Sequence, residues 1–114
     1  MTLADFLLAR IAEDEGAAQA FTDAEAADPT AANRQAATIA RPMFDYLFHW
    51  QPARVLAECD AKRRIVELIE PGLDHSHYAC DTTTYEYMCQ PCQLRALLAL
   101  PYANHPDYQE EWKP

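Results

Sequence analysis

Five side chains that can ligate a metal lie close together in the sequence, in the pattern His75-x-His77-x2-Cys80-x8-Cys89-x2-Cys92. The spacing of Cys89-Gln90-Pro91-Cys92 lets two thiolates share one tetrahedral ion at the start of a helix. Cys80 can come round as a third ligand and His77 as the fourth, with His75 as the substitute for His77. Zinc is the ion that suits this sulfur-rich set. The segment from Leu73 to Pro91 has few aliphatic residues, so hydrophobic burial holds it only weakly. An ion would tie its two ends together. Thiolates at Cys89 and Cys92 would also sit near a helix N-terminus, where negative charge is favoured. A site with four protein ligands is closed and structural, whereas catalytic zinc needs an open position and a nearby general base.

Other roles for the same residues stay open. A redox pair at Cys89 and Cys92 would want a thioredoxin-like βαβ context, and the pattern shows none. The thiols can also be small buried side chains, which is the expectation for Cys59. The histidines can be exposed loop residues. No catalytic residue is assigned, because no glycine-rich phosphate loop, GxSxG or HExxH occurs. Ser76 is the sole serine, and its sequence neighbours His75 and His77 do not make a triad. Phe44, Tyr46, Phe48, His49 and Trp50 form an aromatic cluster that reads as the core of a small helical domain, with ligand binding as the alternative. Glu58 and Lys62, one turn apart with the acid first, read as an intrahelical ion pair.

The elements that must position these residues are helices. Leu3, Phe6, Leu7, Ile11, Ala18 and Phe21 predict a first helix over about Thr2 to Phe21, opened by a cap at Thr2 with Asp5 three residues on. Thr22 to Ala32 is a linker or a helical continuation, and Asp28-Pro29-Thr30 has the form of a helix start. A second segment covers about Thr30 to Trp50, with Ala36, Ile39, Met43, Leu47 and Trp50 as a buried stripe. Pro42 should kink it or end it near Ala40. Pro52 opens a third, central helix that reaches about Glu70 and stops at Pro71-Gly72. Its apolar arc is wide, from Val55 and Cys59 to Ile65, Val66, Leu68 and Ile69, which predicts packing on two sides. Thr82 to Tyr87 favours extended backbone and permits a short hairpin. A last helix begins near Cys92, carries Leu94, Leu97, Leu98 and Leu100, and ends at Pro101. Tyr102, Tyr108 and Trp112 predict that the tail docks on the domain. The expectation is one all-α domain over residues 1–114: a small bundle of about four helices with an irregular, zinc-stapled insert before the last.

Composition narrows the function classes. The chain of 114 residues carries 18 Asp and Glu against 9 Lys and Arg, a formal charge of -9. That balance argues against direct nucleic-acid binding and against an anionic membrane surface. It is compatible with a protein partner. Asp5 and Arg10 interrupt the N-terminal apolar stretch, which argues against a signal peptide. No segment has the length and apolarity to span a bilayer. A cytoplasmic setting follows, in which cysteines are reduced or metal-bound.

Two stretches carry a family resemblance. One runs from Pro52-Ala53-Arg54-Val55 through Glu58-Cys59-Asp60-Ala61-Lys62-Arg63-Arg64-Ile65. The other runs from Leu94-Arg95-Ala96-Leu97-Leu98 through Pro101-Tyr102-Ala103-Asn104-His105-Pro106-Asp107-Tyr108 to Glu110-Glu111-Trp112. With the opening Phe6-Leu7-Leu8-Ala9-Arg10 and Glu13-Asp14-Glu15, they resemble a family of short uncharacterised proteins from actinobacteria and their phages, domain of unknown function 6221. Members often carry a cysteine just before the last helix, where Cys92 stands. Where members often have a proline-glycine-tryptophan turn, this chain has Asp28-Pro29-Thr30. The loop from Asp74 to Gln90 is variable in the family. The resemblance implies a bacterial or phage setting and no assigned activity.

Two function classes follow. The first is a non-enzymatic protein-interaction, accessory or regulatory protein with a structural zinc ion. The second is a small metalloenzyme or thiol enzyme using Cys89 and Cys92. An acidic mimic of nucleic acid is a variant of the first.

Overall fold

Thr2 opens the first helix. Its hydroxyl accepts a hydrogen bond from the Asp5 N–H at 3.1 Å, and the Asp5 carboxylate accepts one from the Thr2 N–H at 3.1 Å. This reciprocal pair satisfies two of the N–H groups that a helix start leaves without intrahelical acceptors. In the computed structural model, helix α1 then runs over Leu3–Ala27, so the polar stretch after Phe21 continues the helix. The structure describes residues 1–69, 80 and 83–114. His75 and His77 lie outside the described residues, as do the Pro71-Gly72 stop and Thr82.

The remaining helices are α2 (Ala31–Ala36), α3 (Arg41–His49), α4 (Pro52–Ile69) and α5 (Gln90–Ala99). The predicted second segment is thus broken in two ahead of Pro42. A proline has no N–H to reach back four residues, but in a first turn that donor is not needed. The fold is all-α, with no strand among the described residues. The predicted hairpin does not form there. Instead Tyr85–Tyr87 winds into a 3-10 turn, with the Met88 N–H donating to the Tyr85 carbonyl at 3.1 Å. Further 3-10 turns cover Leu100–Tyr102 and Glu110–Trp112.

The chain divides into two compact units, residues 1–11 with 61–114 and residues 12–60. The first unit is organised around Phe6, which is fully buried. Four rings surround it, with centroid distances of 6.3 Å to Tyr102, 5.7 Å to His105, 6.0 Å to Tyr108 and 5.1 Å to Trp112. The tail therefore docks, as its aromatics predict. Arg10 is buried beside it, with its guanidinium 5.3 Å from the Phe6 ring centre and Nη1 donating to His105 Nε2. Lys62 does not pair with Glu58. Its ammonium lies 5.8 Å from the Tyr102 ring centre, while Glu58 receives Arg54 at 3.1 Å from the preceding turn.

Burial along α4 and α5 is narrower than the hydrophobic pattern implies. On α4, Cys59, Val66 and Ile69 are buried, but Leu68 is 74% exposed and Ile65 is exposed as well. At 100° per residue, Ile65 and Leu68 fall off the stripe through Val66, so the predicted wide arc is not covered. On α5 the inward residues are Cys92, Ala96 and Ala99, while Leu94, Leu97 and Leu100 face out. Alanines and leucines repeat with the same period. With Cys89 and Cys92 turned inward, Ala96 and Ala99 follow at successive turns, and that phase leaves Leu94 and Leu97 outside.

In the second unit, α1 turns at Asp28, whose carboxylate accepts from the Thr30 N–H at 3.3 Å and from Arg34 at 2.7 Å. The Arg34 and Thr30 hydrogen bonds hold that carboxyl below the usual range. Helix α3 has no buried residue. Met43 is 62% exposed and Phe48 59%, which corrects the expectation of an aromatic core. Phe44 stacks on Phe48 at 6.1 Å, Tyr46 tilts against Trp50 at 6.2 Å, and Arg54 lies 4.7 Å above the Trp50 ring. The two i, i+4 ring pairs start two residues apart, so they lie on opposite sides of the helix instead of forming a buried centre.

Candidate metal centre

Helix α5 and the turn before it bring three sulfurs together. Cys89 is the residue that caps α5, with extended backbone at φ -64° and ψ 161°. Pro91 in the first turn fixes the helical path, and Cys92 follows one turn into the helix. Cys80 approaches from the preceding segment. The ligand atoms of Cys80, Cys89 and Cys92 all lie within 4.8 Å of one another. Cys80 Sγ is 4.0 Å from Cys92 Sγ, and the Cys89 backbone N–H donates to Cys80 Sγ at 3.4 Å. None of the four cysteines is in a disulfide.

The surroundings hold the triangle in place. Met88, Cys89, Cys92 and Ala96 form a buried cluster, with Leu3, Cys80 and Tyr85 packed against it. The Gln93 side chain donates to the Tyr85 carbonyl at 3.2 Å, which fastens the 3-10 turn to the helix. Burial pushes the Cys92 thiol up to about 12, and the neighbouring Cys89 and Cys80 sulfurs add to it. Burial acts in the same direction on Cys89. There it is outweighed by hydrogen bonds from the Cys92 backbone, the Cys92 thiol and the Cys80 thiol, and by the Arg95 charge, so the Cys89 thiol lies below its ordinary value. Clustered thiols of unequal acidity are what a shared positive ion would draw into the thiolate form.

Of the sequence-predicted ligands, Cys80, Cys89 and Cys92 are together and could hold a metal ion. Cys59 is buried elsewhere on α4, as expected for a packing thiol. Arg95 was not singled out by sequence reasoning. It lies one turn beyond Cys92, and its guanidinium donates to the Ile69 carbonyl at the end of α4 at 2.7 Å. A base one turn after a CxxC pair at a helix start was the available signal.

The family model described as a family of unknown function, DUF6221, matches residues 1–114. The chain belongs to the DUF6221 family. No curated protein and no solved structure matches this DUF6221 chain. No helix among its described residues is long and apolar enough to cross a membrane.

Proposed function

We propose that this DUF6221 protein is a non-enzymatic protein-interaction protein whose fold is stapled by one structural zinc ion. Cys80, Cys89 and Cys92 supply three thiolates, and His77 supplies the fourth ligand, with His75 able to take its place. The sulfur triangle carries the assignment. A tetrahedral zinc ion with Zn–S bonds of about 2.3 Å separates its sulfurs by about 3.8 Å. The Cys80 to Cys92 separation of 4.0 Å is close to that edge. Four protein ligands close the coordination sphere and leave no position for a substrate. The interaction role is supported by α3, which exposes Met43, Tyr46 and Leu47 at i, i+3 and i+4 spacing, with Phe48 exposed as well. Apolar side chains grouped at a surface mark places where a partner binds.

Elemental analysis of protein purified without a histidine tag tests the staple. One zinc per chain is expected. It should be lost in Cys89→Ser and Cys92→Ser, together with thermal stability, and weakened in His77→Ala. Metal-free protein with an unchanged melting curve in chelator would sink the zinc assignment. For the interaction role, a stoichiometric partner retained through size exclusion supports the proposal. Fast alkylation of Cys89 in the metal-loaded protein near neutral pH would point to a thiol enzyme instead.

A further inference from the structure

Within residues 12–60, two apolar helix faces line an open cleft of about 580 Å³. One wall is α1, through Ala17, Ala18 and Phe21; the other is α3, through Phe44, Leu47 and Phe48. Both sets follow the i, i+3, i+4 spacing of a helix face that ordinarily packs into a core. Here the two stripes stand apart with open space between them, and α3 has no buried residue at all. Protein interiors are normally filled to the density of organic crystals, so a lined apolar space of this size is a binding site in form.

Its charge narrows the occupant. Asp14 and Glu25 line the same cleft, and no lysine or arginine does. They stand 11 residues apart on α1, a rise of about 16 Å, so one acid lies toward each end of that wall. Residues 12–60 carry nine acidic residues against three arginines and no lysine. Each of those arginines pairs with a carboxylate outside the cleft lining: Arg34 with Asp28, Arg41 with Asp45 and Arg54 with Glu58. The charged side chains in the lining are therefore all acidic. We infer that this cleft seats a basic amphipathic helix of a partner protein, with apolar anchors entering between α1 and α3 and Lys or Arg toward the Glu25 end of the apolar stripe. Anchors at i, i+4 and i+7 span about 10 Å, which fits within that wall. This rests on the protein-interaction proposal above and names the partner's chemistry.

The test uses the whole chain and a synthetic Leu/Lys peptide of about 18 residues, long enough to be helical, with its leucines on one face. Two control peptides share its length: one scatters the leucines round the helix, and one replaces Lys by Glu. Calorimetry at low salt should give one peptide per chain, bound at least roughly tenfold more tightly than either control, a difference of about 1.4 kcal/mol. Leu47→Asp and Glu25→Lys should each weaken binding severalfold, and added salt should do the same. Leu68→Asp, on an exposed residue outside 12–60, should leave it unchanged. Circular dichroism shows whether the variants fold, and Glu25→Lys keeps the test decisive if Leu47→Asp does not. Equal binding of the controls, or indifference to both cleft variants, overturns the inference. So does a chain dimer in sedimentation that Leu47→Asp dissolves, because the occupant is then a second copy. A partner that Leu47→Asp fails to release overturns the cleft assignment while the interaction role stands.

Discussion

Phe6 and Tyr108 touch in the same aromatic cluster and make opposite predictions. Phe6 is fully buried among four rings, so Phe6→Ala removes a large apolar group and leaves a cavity. The expected loss is about 3–5 kcal/mol, a large part of the 5–15 kcal/mol typical of a folded domain, and thermal denaturation would read it. The Tyr108 hydroxyl is buried with no hydrogen-bond partner among the described residues. Tyr108→Phe removes an unsatisfied polar group while keeping the ring, so its melting temperature should equal or exceed that of the parent. Burial, with the Glu110 charge behind it, also pushes the Tyr108 phenol above its ordinary value. The folded state then holds the proton more tightly, so this contribution is full below about pH 10 and is lost as pH rises through the folded value. Tyr108→Phe should lose less stability on going to alkaline pH than the parent does. Phe6 and the three tail aromatics were legible from spacing and hydrophobicity. Their convergence on one ring, and Arg10 buried beside it, were not, because contacts across about 100 residues leave no local period.

Helix α1 offers two independent tests. Gly16 lies in its interior, and a Cβ built there meets nothing within 4 Å. Gly16→Ala should therefore stabilise the protein by about 0.5–1 kcal/mol, through the lower entropy of the unfolded chain and the better helix propensity of alanine. At its start, hydrogen bonds from Thr2 hold the Asp5 carboxyl below its ordinary value. A lowered acid stabilises the fold fully above its unfolded value of about 3.9, and that stabilisation fades as pH falls through the lower folded value. The parent should lose helical signal in that acid window by an increment that Asp5→Asn lacks. Caps and stops of this kind were legible: Thr2 with Asp5, the break ahead of Pro42, and Pro52 opening α4. Helix phase was less so. In α5 the leucines outweigh the alanines on any hydrophobicity scale, yet the alanines are inside, because the inward thiols set the rotation. In α3 the aromatic stripe was legible as a stripe, but nothing local says whether such a stripe meets a filled core or an open cleft.

At the scale of the whole chain, metal should set stability if the zinc proposal holds. A strong chelator would lower the melting temperature of the parent and leave Cys92→Ser unchanged. Zinc affinity should fall in acid, because each cysteine must release a proton to bind. The metal-ligand spacing was the most legible part of the candidate site, and three of its residues are together; His77 lies outside the described residues. The chain also has only two tryptophans, one in each compact unit: Trp112 in the first and Trp50 in the second. Trp112 is buried beside Phe6, whereas Trp50 is 44% exposed. Their fluorescence should differ accordingly, blue-shifted and shielded from acrylamide for Trp112, red-shifted and readily quenched for Trp50. Trp50→Phe and Trp112→Phe, followed during urea unfolding, would then give a separate optical record of each unit and show whether the two lose structure at one denaturant concentration or at two.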